Sequence, residues 1–563
     1  MDFGQRLRNL RRTVDTVRRG VQVFRATGMS GALGPTTVLK LARDRVEGRA
    51  PKGSLAVVHL HATGDPLRPA VVSGATRLNY GELEQRINRL THGLVALGIG
   101  PGERIGALLH NGHEYLELVA ALGAVGGVSV QIGYRLKAAE VAYLLEHSGA
   151  RALLFHEDLA PVVEGALAEL GGKGPPRERC IAVGGAPGFR SYDELLASGD
   201  PTRTAEVAGG GYGGVMVYTS GTTGRSKGAK RDFRRMGLQT VIDFISKFPV
   251  RRDERHLVVC PLYHSMAPAF GAIVMFVGGC SVILRHFEAE EVLRTIEHER
   301  ITSMLVVPTM LSRLMQVPAE TLRRYDTSSL RWIMSGAAPL PTDVARRVED
   351  AFGPILYNFY GATETGIVTL ALPGEHTARP GTIGRLVAGN EARLLDGEGR
   401  EVPVGEVGEL YTKNSMMMDG YHDNEAATKA ASRDGFLSVG DLAWRDADGY
   451  FYLADRKSDM VISGGVNIYP WEIEQRLHEH PAVHEAAVVG VPDAEWGETL
   501  VAFIVLRDGK QVAAEELVEH VRQKLADYKR PRRVHFVDAL PRTPTGKVLK
   551  RELKARAAQA VVA

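Results

Sequence analysis

Residues 218–230 read YTSGTTGRSKGAK, and the apolar run VMVY at 215–218 leads straight into them. Three glycines, three threonines, two serines and two lysines fall in this stretch. Glycines let backbone N–H groups close around an anion, hydroxyls add donors, and a lysine adds charge. The chemistry suits a nucleoside triphosphate. The Walker A loop, G-x-x-x-x-G-K-[ST], is the obvious competitor. Counted from Gly221, the sixth position is Ser226; counted from Gly224, the window ends Ala229-Lys230-Arg231. Neither register fits, which disfavours kinase- or GTPase-type phosphate binding. GGGYGG at 209–214 satisfies G-x-G-x-x-G, but a strand-like run follows it where a dinucleotide site needs a helix. It reads as a flexible lead-in.

The elements that must hold such a loop are legible around it. From about 70 to 200, strand-like runs (RIGALL, ARALLF) alternate with helical ones (EYLELVAALGAVG, AAEVAYLLEHSG), and similar alternation continues to about 370. This predicts an α/β layered sheet. Between 380 and 455, GTIGR, EARLLD, GEVGELYTK and GYFYLAD read as short strands between Gly/Asp turns, a small β-rich subdomain. Past Arg456 a compact segment is long enough for a domain of its own, and the alanine-rich tail after Leu553 reads as a frayed helix. Met266 to Leu284 carries no charge, yet Pro268 and Gly278-Gly279 interrupt it. A buried helix followed by a buried strand fits better than a membrane span.

Bulk properties set outer limits. A chain of 563 residues exceeds one ordinary core. A net charge of +3 is too small to imply nucleic acid, and none is expected as a partner. Cys180, Cys260 and Cys280 are too few and too scattered for a disulfide framework or zinc site, which fits a reducing, cytoplasmic setting. At the amino terminus Phe3, Leu7, Leu10, Val14, Val17, Val21 and Phe24 form an apolar stripe, with seven arginines on the other faces. Three readings stay open: a helix packed on the body of the protein, a basic helix on an anionic lipid surface, or a short coiled-coil homodimer. GALGP at 31–35 ends that helix.

The loop resembles the phosphate-binding signature of the adenylate-forming superfamily, close to YTSGTTGxPKG, with Ser226 where proline is common. SGAAPL (335–340), NFYGATETG (358–366), FLSVGDLA (436–443), DRKSD (455–459) and PRTPTGKVLKREL (541–553) resemble further blocks of that superfamily, in its order. The amino-terminal extension lies outside the resemblance. Residues 1–50 read as a basic amphipathic extension from their own pattern, whereas the resemblance implies a large adenylation domain over 51–457 built from two layered α/β subdomains and the β-rich one, and a small mobile α+β lid over 458–563. It implies an AMP-forming acid–thiol ligase, joining a carboxylic acid to CoA through an acyl-adenylate with ATP and Mg2+. On that basis Thr219, Ser220, Gly221, Thr222, Thr223, Gly224 and Lys227 would hold the β- and γ-phosphates. Gly336, Ala337, Ala338, Asn358, Phe359, Tyr360 and Gly361 would line the adenine, Thr363 would touch the α-phosphate, and Glu364 would ligate Mg2+. Asp441 and Arg456 would take the ribose, and Lys547 would stabilise charge on the reacting carboxylate and α-phosphate.

Ser458, fourth in the DRKS text, would be the pivot between two lid orientations. Ser463, Gly464 and Gly465 would admit the pantetheine arm of CoA. PLYHSMAPAFG (261–271) resembles the acid-pocket block, which sets His264 beside the reacting carboxylate. Ala267, Ala269, Gly271, Val306, Val307, Pro308 and Met310 would wall an apolar channel, and no acidic residue lies between Pro261 and Leu284 to hold an ammonium group. A medium- or long-chain fatty acid is the expected substrate. An acyl-AMP ligase loading a carrier protein's phosphopantetheine and an aryl-CoA ligase are the alternatives.

Overall fold

Val-, Ile- and Leu-rich runs bounded by glycine or proline become strands in the computed structural model, which describes residues 22, 25–29, 34–205, 207–208, 213–219, 227–232, 245, 248–463, 466–493, 495–542 and 548–562. Among these the strands form three sheets, and helices pack against them. The protein is α/β, with a large amino-terminal domain and a small carboxy-terminal one. The amino-terminal stripe, Phe3 to Phe24, and residues 209–212 of the glycine run lie outside the described residues.

The largest sheet has fourteen strands. Pro69–Ser73, Cys280–Ile283, Arg255–Val258, Ser303–Val306, Trp332–Ser335 and Leu356–Ala362 run parallel through its middle. Gly366–Ala371 then folds back antiparallel on Leu356–Ala362, with a register shift between Tyr360 and Gly361. From there the sheet continues antiparallel through Thr382–Leu386, Phe451–Arg456, Phe436–Arg445 and Gly408–Lys413. The glycine-punctuated strands expected as a separate β-rich piece are present. They are hydrogen-bonded onto the edge of the parallel sheet, because the tight 362–366 turn sends the chain back alongside itself.

An eight-stranded sheet carries the phosphate-loop strands. Gly214–Thr219 runs parallel to Val128–Gln131, Lys227–Asp232 returns antiparallel beside it, and Gly420–Tyr421 pairs along the outer edge. The uncharged stretch is a helix, Met266–Val277, stopped by Gly278 at φ 82°, and then the fully buried strand Cys280–Ile283. Among the described residues, no helix is long and apolar enough to cross a membrane. All three cysteines are free and buried.

The five-stranded third sheet and the helices Pro470–His478, Ala514–Arg522 and Lys550–Val562 make the small domain. The frayed-tail expectation is corrected here. Leu553 and Ala557 lie one turn apart and bury with Val489 and Val501, so the last helix is docked on the sheet.

Candidate functional site

Thr219 and Lys227 are paired across two antiparallel strands, so the loop between them is clamped at both ends. Its residues Ser220, Gly221, Thr222, Thr223 and Gly224 lie outside the described residues, as do Gly464, Gly465 and Lys547. The outgoing strand is tied to the 418–422 segment. Asp419 N–H donates to the Lys230 carbonyl at 2.9 Å, and His422 N–H to the Gly228 carbonyl at 2.8 Å. The same segment reaches Glu364. Met418 N–H donates to its carbonyl at 2.8 Å, and the Tyr421 hydroxyl to its carboxylate at 3.2 Å. Burial, reinforced by that carboxylate, pushes the Tyr421 hydroxyl well above its usual range, so it stays a donor. Sequence reasoning missed Tyr421. It sits 57 residues from Glu364, on a two-residue strand that no hydrophobic period marks.

A second group gathers on the neighbouring antiparallel strands. Asp441 and Arg456 are cross-strand partners. Asp441 is 7% exposed; Arg456 Nε lies 3.1 Å from its Oδ1, and the Tyr360 hydroxyl donates to its Oδ2 at 2.7 Å. Burial first, then the Asp441 charge, holds Tyr360 protonated. The carboxylate keeps acceptor capacity beyond these two donors.

The wall between the groups is built too tightly for side chains. A Cβ on Gly336 would lie 2.2 Å from the Phe359 ring, and one on Gly361 would lie 2.0 Å from the Gly366 carbonyl oxygen. Ala337 holds a φ of 67°, a strained value for a residue with a Cβ. Ala338 beside it is half-buried. Ser335 and Asn358 are Cα partners on adjacent parallel strands, and each keeps a buried side-chain oxygen with no partner among the described residues. Buried polar atoms of this kind call for a ligand or water partner.

Thr363 and Ser265 hydroxyls stand 3.4 Å apart, which brings the 358–366 block against the 261–271 block. Burial lowers His264 to about 4, so the ring is neutral; its Nε2 is buried without a protein partner, and the ring packs 4.3 Å from that of Tyr263. Ala267 and Gly271, four residues apart, are buried on one face of their helix. Among the described residues, a Cβ built on Gly271 meets no atom within 4 Å, so those residues leave space beside this buried backbone. Pro308 is buried and Val307 half-buried at the start of the next helix. Ala269 is corrected: two positions from Ala267 it turns to the opposite face and is exposed. Ser458 is exposed in the turn after the Phe451–Arg456 strand, and Ser463 pairs with Val466 and Gly497 in the small domain.

Among the described residues no three His, Cys, Asp or Glu side chains gather as a metal cage. One buried carboxylate, Glu364, is what a magnesium ion needs from protein when phosphate and water supply its other ligands.

A family model described as AMP-binding enzyme matches residues 58–422, and one described as AMP-binding enzyme C-terminal domain matches 472–547. A feruloyl-CoA synthase of Amycolatopsis is 37% identical over 87% of this chain and 96% of its own length. A medium/long-chain fatty-acid–CoA ligase of Mycobacterium tuberculosis is 33% identical over 87% of each chain. The ATP-bound structure of MatB from Rhodopseudomonas palustris superimposes with a TM-score of 0.79 at 30% identity, covering 87% of this chain and 96% of that one.

Proposed function

From its membership of the AMP-binding enzyme family, to which this chain belongs, we infer which acid this AMP-forming acid–thiol ligase takes and which residues act on it. The acid is uncharged and apolar, a medium- or long-chain fatty acid. The reading rests on one observation: space adjoins buried Gly271, on a helix with no charged residue, beside neutral His264. Small residues early in that wall leave room for chain length.

The large adenylation domain is residues 51–457 and the lid 458–563, after an extension over 1–50. The 219–227 loop holds the β- and γ-phosphates between its clamped ends. Tyr360 lies against adenine, with Gly336, Ala337, Ala338, Asn358, Phe359 and Gly361 lining the base. Asp441, already anchored by Tyr360 and Arg456, offers its spare lone pairs to the ribose hydroxyls. Thr363 donates to the α-phosphate. Glu364, steadied by Tyr421, holds Mg2+, which when bound offsets phosphate charge. The acid carboxylate attacks the α-phosphate, pyrophosphate leaves, and Lys547 stabilises the charge that builds between them. His264 forms the wall behind the carboxylate. The lid then turns about Ser458, the Ser463–Gly465 segment admits pantetheine, and the CoA thiol displaces AMP.

An aryl acid is the second reading, favoured by the 37% identity to a feruloyl-CoA synthase. A carrier-protein phosphopantetheine in place of CoA is the third. Pyrophosphate release over octanoate, palmitate and coumarate, with CoA and with a phosphopantetheinylated carrier side by side, separates all three. Strong preference for coumarate ends the fatty-acid reading, and ADP as the nucleotide product ends the whole scheme.

The extension makes a peripheral membrane contact through its arginine-rich segment. Supporting this, the helix Pro35–Val46 leaves Leu39 71% and Val46 88% exposed beside Lys40 and Arg45, and it packs on Leu55–Gly64, which packs on the Met266–Val277 helix. Flotation of full-length protein, and not of a form starting at residue 51, with phosphatidylglycerol vesicles is the expected result. Concentration-dependent sedimentation without flotation would favour the coiled-coil homodimer.

A further inference from the structure

The first helix of the small domain, Pro470–His478, begins without a cap of its own. Its N-cap residue Tyr469 makes no side-chain capping bond, and Pro470 occupies the first turn. A helix start needs acceptors for its leading N–H groups, normally from the N-cap side chain. Here the acceptor comes from the other side of the pivot. Asp455 Oδ2 takes the Trp471 N–H at 3.0 Å, while Oδ1 takes the Arg456 N–H at 2.7 Å. Asp455 is the next-to-last residue of the strand Phe451–Arg456 of the large domain, and Trp471 lies beyond the turn that holds Ser458. One turn along the same helix, Glu474 pairs with Lys550 Nζ at 2.7 Å and accepts the Val488 N–H at 2.7 Å. The Lys550 and Glu474 side chains are only 16% and 9% exposed. Burial pushes the Asp455 carboxyl up to about 6; Lys550 opposes the shift and Glu474 adds to it, so all three share one enclosure.

We propose that Asp455 is a positioning residue for adenylate formation. Its carboxylate caps the lid's first helix and steadies Lys550, three residues past Lys547, in the lid orientation seen here. It gives up both contacts when the lid turns. The orientation is read from two ends of the lid. Lys550 is enclosed next to Asp455 and hence near Arg456, whereas Ile462 and Val466, flanking residues 464–465, are 49% and 41% exposed. The side bearing Lys550 faces the nucleotide strands, and the hairpin meant for thiol transfer does not. The inference rests on the proposed roles of Lys547 and Ser458.

The two half-reactions test it separately: acid-dependent pyrophosphate–ATP exchange for the first, and CoA attack on synthetic acyl-adenylate for the second. Asp455→Ala lowers kcat of the exchange by roughly tenfold, the scale of a lost helix cap, with KM for ATP little changed. Thiol transfer by the same protein stays within about twofold, which also reports that it is folded. Asp455→Asn, whose carbonyl oxygen still accepts the Trp471 N–H but carries no charge for Lys550, recovers part of the exchange rate. Equal slowing of both half-reactions, a rise in KM for ATP that matches the fall in kcat, or no recovery by asparagine would each overturn the assignment. Lys547→Ala separates this from the underlying reading. If it leaves exchange intact, the family roles fail; if it abolishes exchange while Asp455→Ala does not slow it, only the positioning role fails.

Discussion

Replacing Asp441 with asparagine puts the nucleotide reading under direct strain. The native carboxylate is ion-paired with Arg456, its Oδ1 3.1 Å from Nε, and accepts from the Tyr360 hydroxyl at 2.7 Å, in a site 7% exposed. Arg456 offers only donors, so the asparagine oxygen must face it. The amide NH2 then points at Tyr360, whose hydroxyl rotates to accept. In the free protein the change is modest. It removes the charge from a pair whose arginine is about one-third exposed, about 1 kcal/mol. With nucleotide bound the loss is larger. A charged acceptor contributes about 1.5–3 kcal/mol per hydrogen bond, and the amide oxygen left beside Arg456 is the sole acceptor for the ribose hydroxyls. Taking about 3 kcal/mol at the upper end of one such bond, KM for ATP rises about 150-fold. The kcat at saturating ATP stays within a few-fold, since the reacting carboxylate and α-phosphate are untouched. Pyrophosphate release over an ATP titration measures both, with a melting curve as the folding control. A KM within threefold of wild type in a folded protein would refute the ribose role. So would a fall in kcat with KM unchanged.

Three further outcomes follow from the same geometry. Gly271→Leu fills the space beside that helix, so turnover of palmitate falls at least tenfold while octanoate is largely spared; equal loss for both acids would mean the space is not the acyl channel. Tyr421→Phe removes the hydroxyl that holds Glu364, so the Mg2+ concentration for half-maximal pyrophosphate release rises roughly three- to tenfold, about 1 kcal/mol for one hydrogen bond, and an unchanged midpoint would refute the coupling. Burial lowers His61, His156 and His264 to about 4 and His256 to about 3, from an ordinary 6.5. The unfolded chain therefore takes up protons below pH 6.5 that the native one refuses; stability is full above that pH and falls towards pH 4. Each histidine contributes about 1.4 kcal/mol per pH unit in that window, so His256→Gln makes the decline in melting temperature from pH 6 to 5 measurably shallower, and an unchanged slope would be the contrary result.

Local signals carried most of the framework. The break at Gly278-Gly279 divides helix from strand because Gly278 adopts a left-handed φ and a Cβ there would strike the His61 ring at 2.7 Å. Ser335 and Asn358 lie on adjoining strands and Asp441 on a strand further along the same sheet; the grouping of Asp441, Tyr360 and Arg456 came from resemblance to family blocks and not from their spacing along the chain. What escaped was non-local. Tyr421 reaches Glu364 through a strand too short to have a period, and Asp455 accepts from the first turn of a helix in the small domain. The exposure of Ala269 was misjudged because block resemblance ignores which way a helix turns each residue. The burial of Ala557 was missed because alanine composition says nothing of docking.

Tightness and slack differ sharply among the glycines of the proposed site. At Gly336 and Gly361 not even a methyl group fits, whereas at Gly271 the described residues leave space beside the helix. On the proposed assignment, substitution is therefore restricted on the nucleotide side and permitted on the acid side. On that same assignment, the acid taken could change by single substitutions while the grip on ATP stays as it is.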